Sequence, residues 1–343
     1  MTSPDGSTGA RKTEHLRINL DSDVRSGTTT GLERWRFIPS ALPELNLAEV
    51  DISGQFLGRT LRAPLLVSCM TGGAGEAEAI NLVLARVAEA EGLALGLGSG
   101  RVLLEDGAAR AGFDVRRVAP SVPLLANLGA VQLTRGVGED DCRRLVETLG
   151  ADALVLHLNA VQEALQAGGG AEFRKVLAAI ALLCLHLGAP VIVKEVGWGI
   201  APDDVRRLFD AGVAAVDVAG AGGTSWSEVE RHRDDGDRGA VFDAFRDWGL
   251  PTAEAIRRAR DVAPDGLIIG SGGIASGMEV AKAIALGADL VGIAGPFLRA
   301  AAVGEAATAK LARDVVMVLR VAMFATGAGN LRELRSRNRL EPI

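Results

Sequence analysis

Tyrosine is absent from this 343-residue sequence, so no phenol group is available as a catalytic acid or base. Lysine is scarce, with five residues against 32 arginines, and a lysine in an apolar setting therefore needs an explanation. Only three cysteines occur, Cys69, Cys142 and Cys184, and they are far apart with no CxxC pair. Their spacing argues against a disulfide framework or a zinc site and predicts a reducing, cytoplasmic location.

Long apolar runs and strong charge are lacking as well. The N-terminus is polar, so no signal peptide is expected, and His186, Gly188 and Pro190 interrupt the most apolar stretch, 176–193, so no membrane span is expected. The net charge of −6 is spread along the chain, which predicts neither a nucleic-acid partner nor attraction to an anionic membrane. With 48% hydrophobic residues, the chain has the composition of a globular protein.

What is present is a regular alternation of short apolar runs and longer amphipathic stretches. The apolar runs, which are predicted strands, are 64–70, 94–98, 123–129, 153–159, 190–196, 214–220, 266–273 and 290–295; helices are predicted at 76–91, 140–149, 173–187, 202–211, 253–262 and 278–286. Eight such units predict an α/β fold, the (β/α)8 TIM barrel. A doubly wound sheet is the main alternative, but the glycines of 70–75 lack GxGxxG spacing.

The chain is predicted to contain four parts. Residues 1–10 form a disordered tail, 11–62 an N-terminal extension that packs on the barrel and contributes to the active site, 63–330 the barrel and 331–343 a C-terminal tail. Residues 225–252 interrupt the alternation and are predicted to form a long polar loop, of the kind that is usually functional or mobile.

Polar residues are concentrated where the predicted strands end, which is where barrel enzymes carry their chemistry. Lys194 follows a strongly apolar run, and a buried ammonium is costly unless it faces an anion. It indicates a cation beside an anionic ligand, with a salt bridge across the barrel mouth as the alternative. The glycines of 271–273 and 294–296 favour a phosphate site, or else only tight turns.

A second concentration follows the strand 153–159. His157, Asn159, Gln162 and Glu163 fall within seven residues and can hold a polar anionic ligand. Through Glu163 they can also hold a divalent cation whose remaining ligands are phosphate oxygens. His157 by itself would most often be a histidine of the core with its hydrogen bonds satisfied, and the neighbouring polar residues are what favour a ligand site.

Together these motifs resemble the type 2 isopentenyl-diphosphate isomerases, which are flavin-dependent barrel enzymes. The matching segments, in order, are RKTEHL (11–16), MTGG (70–73), GSGR (98–101), ANLGA (126–130), HLNAVQE (157–163), PVIVKEVGWGI (190–200), DVAGAGGTSW (217–226), DWGLPT (247–252), SGGI (271–274) and LGADLVGIAGPFL (286–298). HLNxxQE, and KEVGxG followed by AGxGGTSW, are the most specific of them.

The resemblance implies FMN in the barrel mouth, reduced by NADPH, and a prenyl diphosphate substrate held with Mg²⁺. It implies that the flavin is contacted by Met70, Thr71, Gly72, Ser99, Asn127, Lys194 and Thr224, and its phosphate by Gly272, Gly273, Ala294 and Gly295. It assigns the substrate to Arg11, Lys12, Ser99, Arg101, His157, Asn159 and Gln162, the metal to Glu163, and catalysis to His157, Gln162 and Lys194. It also implies a homotetramer or homo-octamer.

The implied reaction is the isomerisation of isopentenyl diphosphate to dimethylallyl diphosphate, with reduced flavin as acid and base. Three departures from the family pattern, at Gly100, 166–173 and Ala275, keep open a related enzyme that isomerises or cyclises a different or longer prenyl diphosphate. A 2-hydroxy-acid oxidase is disfavoured because the late strand ends carry no histidine, and a nucleotide dehydrogenase because 220–226 has no cysteine. A non-catalytic flavin protein would not need HLNxxQE.

Overall fold

The N-terminal extension packs against the rest of the chain through one helix and three short strands. In this computed structural model residues 8–70, 76–105, 112–234, 236–336 and 338–343 are described. Helix α1 (Thr8–Asp21) is followed by strand β1 (Trp35–Phe37) and by an antiparallel hairpin of β2 (Gly54–Phe56) and β3 (Arg59–Leu61). Residues 8–10, predicted to be part of a disordered tail, thus lie in α1, whereas residues 1–7 fall outside the described ranges.

Eight parallel strands close into a barrel, which confirms the predicted (β/α)8 fold. They are β4 (Leu65–Val67), β5 (Ala94–Gly96), β6 (Leu124–Gly129), β7 (Ala153–His157), β8 (Val191–Lys194), β9 (Ala215–Asp217), β10 (Ile268–Gly270) and β11 (Leu290–Ile293). The barrel closes where β11 pairs with β4, with Val291 opposite Leu65. Nearly every strand residue is buried, as expected for strands covered on both faces.

The helices surround this barrel in the order that the alternation predicts. They are α2 (Glu76–Glu91), α3 (Arg101–Glu105), α4 (Glu139–Leu149), α5 (Ala160–Leu165), α6 (Val176–His186), α7 (Pro202–Asp210), α8 (Trp226–Arg231), α9 (Gly239–Asp243), α10 (Thr252–Val262), α11 (Gly277–Ala285), α12 (Gly295–Val303), α13 (Glu305–Ala325) and α14 (Leu331–Ser336). None of the helices in these described ranges is both long enough and apolar enough to cross a bilayer.

Two segments differ from the expectation. Residues 225–252 are not a plain loop, because α8 and α9 lie within them and Glu228 and Glu230 of α8 are buried. The C-terminal segment 331–343 is also structured: after α14, strand β12 (Leu340–Pro342) pairs antiparallel with β1. Backbone hydrogen bonding to β1 therefore ties the end of the chain to the N-terminal extension.

The β2–β3 hairpin closes the amino-terminal end of the barrel. Phe56 and Leu61 are buried in one cluster with inward residues of the barrel strands, including Leu125 and Ile192. Arg59 donates to Asp152 at 2.6 Å, which anchors the hairpin to the turn before β7. Because this end is filled with apolar side chains, a ligand site is left to the carboxyl ends of the strands.

The contact between α11 and α13 leads to a stability prediction. A Cβ atom added at Gly277 would lie 2.7 Å from Val318 Cβ and closer still to the Val315 carbonyl oxygen, whereas one at Gly239 would meet nothing within 4 Å. Both glycines begin helices. We expect Gly277→Ala to cost about 1–3 kcal/mol through overpacking and to lower the thermal unfolding midpoint. Gly239→Ala is the matched control and should leave the midpoint unchanged or raised. Equal midpoints for the two variants would contradict this account of the helix crossing.

Candidate active site

A cavity of roughly 1060 Å³ opens at the carboxyl ends of the barrel strands. Every predicted site residue in the described ranges lines it: Arg11, Lys12, Met70, Ser99, Arg101, Asn127, His157, Asn159, Gln162, Glu163, Lys194, Thr224, Gly272, Gly273, Ala294 and Gly295. Thr71 and Gly72 lie outside those ranges. The fold thus brings together residues that are up to 284 positions apart in sequence, from Arg11 to Gly295.

Helix α1 covers one side of the cavity. Arg11, Lys12, His15 and Asn19 all line it, and their spacing of three or four residues puts them on one helical face. Lys12 Nζ donates to the Ser99 carbonyl oxygen. Burial, followed by the charge of Arg11, lowers the pKa of Lys12 to about 8, and burial also lowers the pKa of Arg11. Lowered pKa values in neighbouring cations indicate a region that would gain from a bound anion.

Lys194 holds a buried positive charge at the end of β8. Its Nζ donates to the Glu195 carbonyl oxygen at 2.5 Å, and it takes part in no ion pair within the described ranges. The alternative interpretation of Lys194, a salt bridge across the barrel mouth, is therefore not observed among the described residues. Burial raises the pKa of the nearby Asp217, an effect that the Lys194 charge opposes. An anionic ligand would complete the surroundings of this ammonium.

Glu195 shapes the turn that follows Lys194. Its Oε2 accepts hydrogen bonds from the backbone amides of Val196, Gly197 and Trp198 at 2.6–2.7 Å. Burial raises the pKa of this carboxyl to about 7, although the three amides lower it. The side chain is thus turned toward its own backbone, which leaves the cation of Lys194 without a carboxylate partner from this residue.

His157 is a half-buried imidazole at the end of β7. Its Nδ1 lies 2.8 Å from Asn127 Oδ1, and since an amide oxygen only accepts, Nδ1 is the donor and Nε2 remains an acceptor. Burial, followed by the charges of Lys194 and Lys12, lowers the pKa of His157 to about 3. A base of that strength is poorly matched to proton transfer near neutral pH, so the ring suits hydrogen bonding to a ligand better.

Asn159, Gln162 and Glu163 form one hydrogen-bonded chain at the start of α5. Asn159 Nδ2 donates to Gln162 Oε1 at 3.0 Å and to Glu163 Oε1 at 3.1 Å, and Glu163 Oε2 accepts from the Gly170 amide at 2.5 Å. Asn159 Oδ1 is buried without a partner in the described part of the chain. Its lone pairs are therefore available to a ligand.

Two residues that support this site, Glu230 and Arg233, were missed by sequence reasoning, and His15 entered it only as part of the RKTEHL motif. Glu230 Oε1 accepts from Gln162 Nε2 at 2.9 Å and lies 3.1 Å from His15 Nε2, while Arg233 donates to Glu230 Oε2 at 2.7 Å. A local signal for Glu230 and Arg233 existed in their i, i+3 spacing, which pairs opposite charges on a helix. This spacing does not indicate an ion pair in a loop, and 225–252 was predicted to be a loop.

The glycines at the last strand ends allow two loops to pack backbone to backbone. A Cβ at Gly223 would lie 2.6 Å from the Gly273 amide nitrogen, and Gly273 has φ +69°. Side chains here would separate the two loops. Next to them α12 begins at Gly295, and the first amides of a helix have no partner within it. The result is a surface of accessible backbone donors suited to a phosphate.

The cavity residues fit a flavin nucleotide. Ser68 Oγ is buried beside β11 with no partner among the described residues, and the Lys194 ammonium has no carboxylate partner there. A flavin ring presents polar edges to such groups, and its ribityl phosphate matches the glycine loops. For a metal the donors are fewer, because no three His, Cys, Asp or Glu side chains in the described ranges form a group. Glu163 and the free Asn159 oxygen are hard oxygen donors of the kind Mg²⁺ prefers.

Comparison with known proteins gives close relatives of nearly full length. Residues 151–341 match the family described as FMN-dependent dehydrogenase. A protein of Xanthobacter autotrophicus named isopentenyl-diphosphate delta-isomerase is 51% identical over 329 residues, 95% of this chain and 96% of that protein. Proteins with the same name from Synechococcus sp. (50% identity, 97% and 96% coverage) and Oceanobacillus iheyensis (44%, 96% and 95%) are similarly related.

Solved structures of lower identity share the fold. A mandelate oxidase variant superimposes with a TM-score of 0.66 at 22% identity, covering 96% of this chain and 98% of its own. A Pediococcus acidilactici lactate oxidase gives 0.66 at 16% identity, with 96% and 86% coverage. At such identities the likeness supports the barrel and leaves the chemistry to the site.

The surroundings of His157 lead to a prediction about protonation. Because its folded-state pKa of about 3 lies below the unfolded value of about 6.5, the ring should stay neutral between pH 5 and 8. Only the unfolded chain then takes up this proton, so His157 should lower stability as pH falls from about 6.5 toward about 3. Nitrogen-15 NMR of the histidine rings, with His157→Gln for assignment, tests this. A His157 resonance that titrates between pH 5 and 8 would refute it.

Proposed function

This chain belongs to the FMN-dependent, type 2 isopentenyl-diphosphate delta-isomerases, and we propose that its cavity binds the flavin at the strand ends and the diphosphate under helix α1. The reaction converts isopentenyl diphosphate to dimethylallyl diphosphate. The observation that carries the proposal is the arrangement of charge. One cavity holds the buried ammonium of Lys194, which has no carboxylate partner among the described residues, and a basic face formed by Arg11, Lys12 and Arg101. Two anionic groups, one from each ligand, account for both.

The chain's own side chains are poorly suited to the proton shift. The reaction adds a proton to a terminal alkene carbon and removes one from the neighbouring methylene, and neither carbon is appreciably acidic or basic near neutral pH. The sequence has no tyrosine, the pKa of His157 is lowered to about 3, and burial raises that of Cys69 to about 11. Reduced FMN, when bound, would supply a proton-exchanging ring nitrogen and a delocalised negative charge.

Toward the flavin, each residue has a separate task in this proposal. Lys194 stabilises the negative charge of the reduced ring, and Met70, Ser99, Asn127 and Thr224 orient the ring and the ribityl chain. Gly272, Gly273, Ala294 and Gly295 hold the phosphate through backbone amides. The hydroxyl of Ser68, which has no partner among the described residues, is a further donor to a polar edge.

Toward the substrate, the basic face neutralises the diphosphate. Arg11, Lys12 and Arg101 form charge-assisted hydrogen bonds to it, and Glu163 holds Mg²⁺ together with diphosphate oxygens. His157, Asn159 and Gln162 position the organic part. Of these, Gln162 is the best placed to assist proton movement, because its amide is fixed between Asn159 and Glu230. Burial by α1 keeps water from developing positive charge.

The remaining features of the proposal concern the surroundings of the reaction. We take NADPH as the source of electrons for the flavin, and a homotetramer or homo-octamer in the cytoplasm as the form of the enzyme. Three separate thiols without a disulfide support a reducing compartment.

The three places where this sequence departs from the family pattern differ in how they could affect the choice of substrate. A Cβ at Gly100 would lie 2.6 Å from Leu145 Cδ1, so this glycine is required by packing against α4. Gly170 donates its amide to Glu163, so the 166–173 segment supports the proposed metal ligand. Ala275 does line the cavity. This leaves isopentenyl diphosphate as the favoured substrate and a longer prenyl diphosphate as the alternative.

The test is an anaerobic assay of the FMN-loaded protein with isopentenyl diphosphate, Mg²⁺ and NADPH in D₂O, followed by NMR. We expect dimethylallyl diphosphate with deuterium incorporation, and none while the flavin stays oxidised. Leaving out Mg²⁺ should reduce turnover, because the diphosphate charge is then incompletely neutralised.

Two other outcomes would change the proposal. Reducible FMN without turnover of isopentenyl diphosphate, but with turnover of a longer prenyl diphosphate, would move the function to the alternative. Equal rates with oxidised and reduced flavin would contradict the role given to the cofactor.

Lys194 is expected to set the reduction potential of the bound flavin. Lys194→Met removes the charge that stabilises the reduced ring, so the two-electron midpoint should become more negative by about 30 mV or more, about tenfold in the equilibrium. Lys282→Met is the matched control, since Lys282 also donates to a backbone carbonyl, that of Leu32, but does not line the cavity. Spectroelectrochemistry that gives the same midpoint for both variants would remove Lys194 from this role.

A further inference from the structure

Arg233 does not line the cavity but holds two acidic residues from different parts of the fold. We propose that Arg233 is a positioning residue that couples the docking of helix α1 to the orientation of the Gln162 amide. The inference rests on the proposed function for its catalytic consequence. The part of the inference that concerns the docking of α1 applies to the protein without substrate and is tested separately.

The guanidinium has two different partners. Its Nη1 donates to Glu230 Oε2 on α8 at 2.7 Å, and its Nε donates to Glu14 Oε2 on α1 at 2.8 Å. The Glu230 side chain is 1% exposed, that of Arg233 16% and that of Glu14 49%. The planar fork of arginine permits both contacts at once, whereas a lysine ammonium is a single point of charge. Arg233 is thus a bridge between the covering helix and a buried carboxylate.

The carboxylate in turn selects one orientation of the Gln162 amide. An ionised carboxylate only accepts hydrogen bonds, so the Gln162 NH₂ group must face Glu230. Gln162 Oε1 then accepts from Asn159, whose NH₂ group is also held by Glu163. The consequence is that Asn159 Oδ1 has no partner among the described residues. A protonated Glu230 would be able to donate, and the Gln162 amide would lose the constraint that fixes its orientation.

The charges around Glu230 decide whether it stays ionised. From α1 it faces His15 and Arg11, from the turn after α8 Arg233, and from α5 the amide of Gln162. Burial alone would raise the pKa of Glu230, but the contacts with His15 and Gln162 and the charge of Arg233 outweigh it and lower the pKa. Removing Arg233 leaves a buried carboxylate with less compensation, so its pKa rises.

The experiment compares Arg233→Met, Arg233→Lys and Glu14→Gln with wild type. In R233M we expect the acidic limb of the kcat/KM profile to move up by about one pH unit, because Glu230 takes up a proton more readily. R233K keeps a charge beside Glu230 and should retain the wild-type limb. In all three variants, amide hydrogen exchange across residues 11–21 of the FMN-loaded, substrate-free protein should be faster, because α1 loses its ion pair with Arg233.

Arg257→Met, which removes an exposed ion pair to Asp261 on α10, is the matched control and should change neither measurement. FMN binding establishes that each variant is folded. If R233M does not fold, R233K and E14Q test the inference through hydrogen exchange alone. The inference is overturned if exchange in 11–21 is unchanged, or if R233K shifts the limb as far as R233M does. Absence of turnover in wild type would instead count against the proposed function and leave the exchange result standing.

Discussion

The ammonium of Lys194 is the constraint around which the mouth of this barrel is arranged. It ends a strand whose preceding residues are apolar and buried, and its own hydrogen bond goes to a backbone carbonyl. A charge in that position is stable only with compensation from its surroundings. Asp217 is close enough to interact electrostatically but is held by the Ser271 hydroxyl at 2.6 Å, and Glu195 is turned to its own backbone amides. The cavity is left with a positive charge suited to an anionic ring.

Burial, assisted at His157 by the same charge, keeps His157 and Cys69 from titrating near neutral pH. Lys194 opposes protonation of His157, and burial raises the pKa of Cys69. The barrel is shared with mandelate and lactate oxidases, so fold alone does not set the chemistry. In this mouth the late strand ends, 271–274 and 294–296, carry no histidine, and a polar chain begins α5. Proton movement then depends on the cofactor, and the protein supplies charge and orientation.

The barrel was predictable because parallel strands buried on both faces leave continuous apolar runs in the sequence. The strand at 266–273 was predicted too long at its end, since Gly272 and Gly273 adopt positive φ and leave the sheet. The cluster around Glu230 was not predictable. Glu230 and Gln162 are 68 residues apart, and α8 has only six residues, too few for a helical pattern to be recognised. Local motifs therefore found the residues that line the cavity and missed those that hold them in place.

Helix α1 and the proposed diphosphate stabilise each other. Docking of α1 partly buries Arg11 and Lys12. Burial lowers the pKa of Lys12 to about 8, so the loss of hydration of this ammonium is only partly compensated by acidic residues such as Glu105. A dianionic ligand beneath the helix would remove that deficit. Coupling of this kind is reciprocal, so whatever helps α1 to dock also tightens ligand binding. Arg233 pairs with Glu14 of α1 and also with Glu230, which holds the polar chain of Gln162 and Asn159. In the proposed function, this ion pair therefore connects the closure of α1 over the substrate with the arrangement of the side chains that position the substrate.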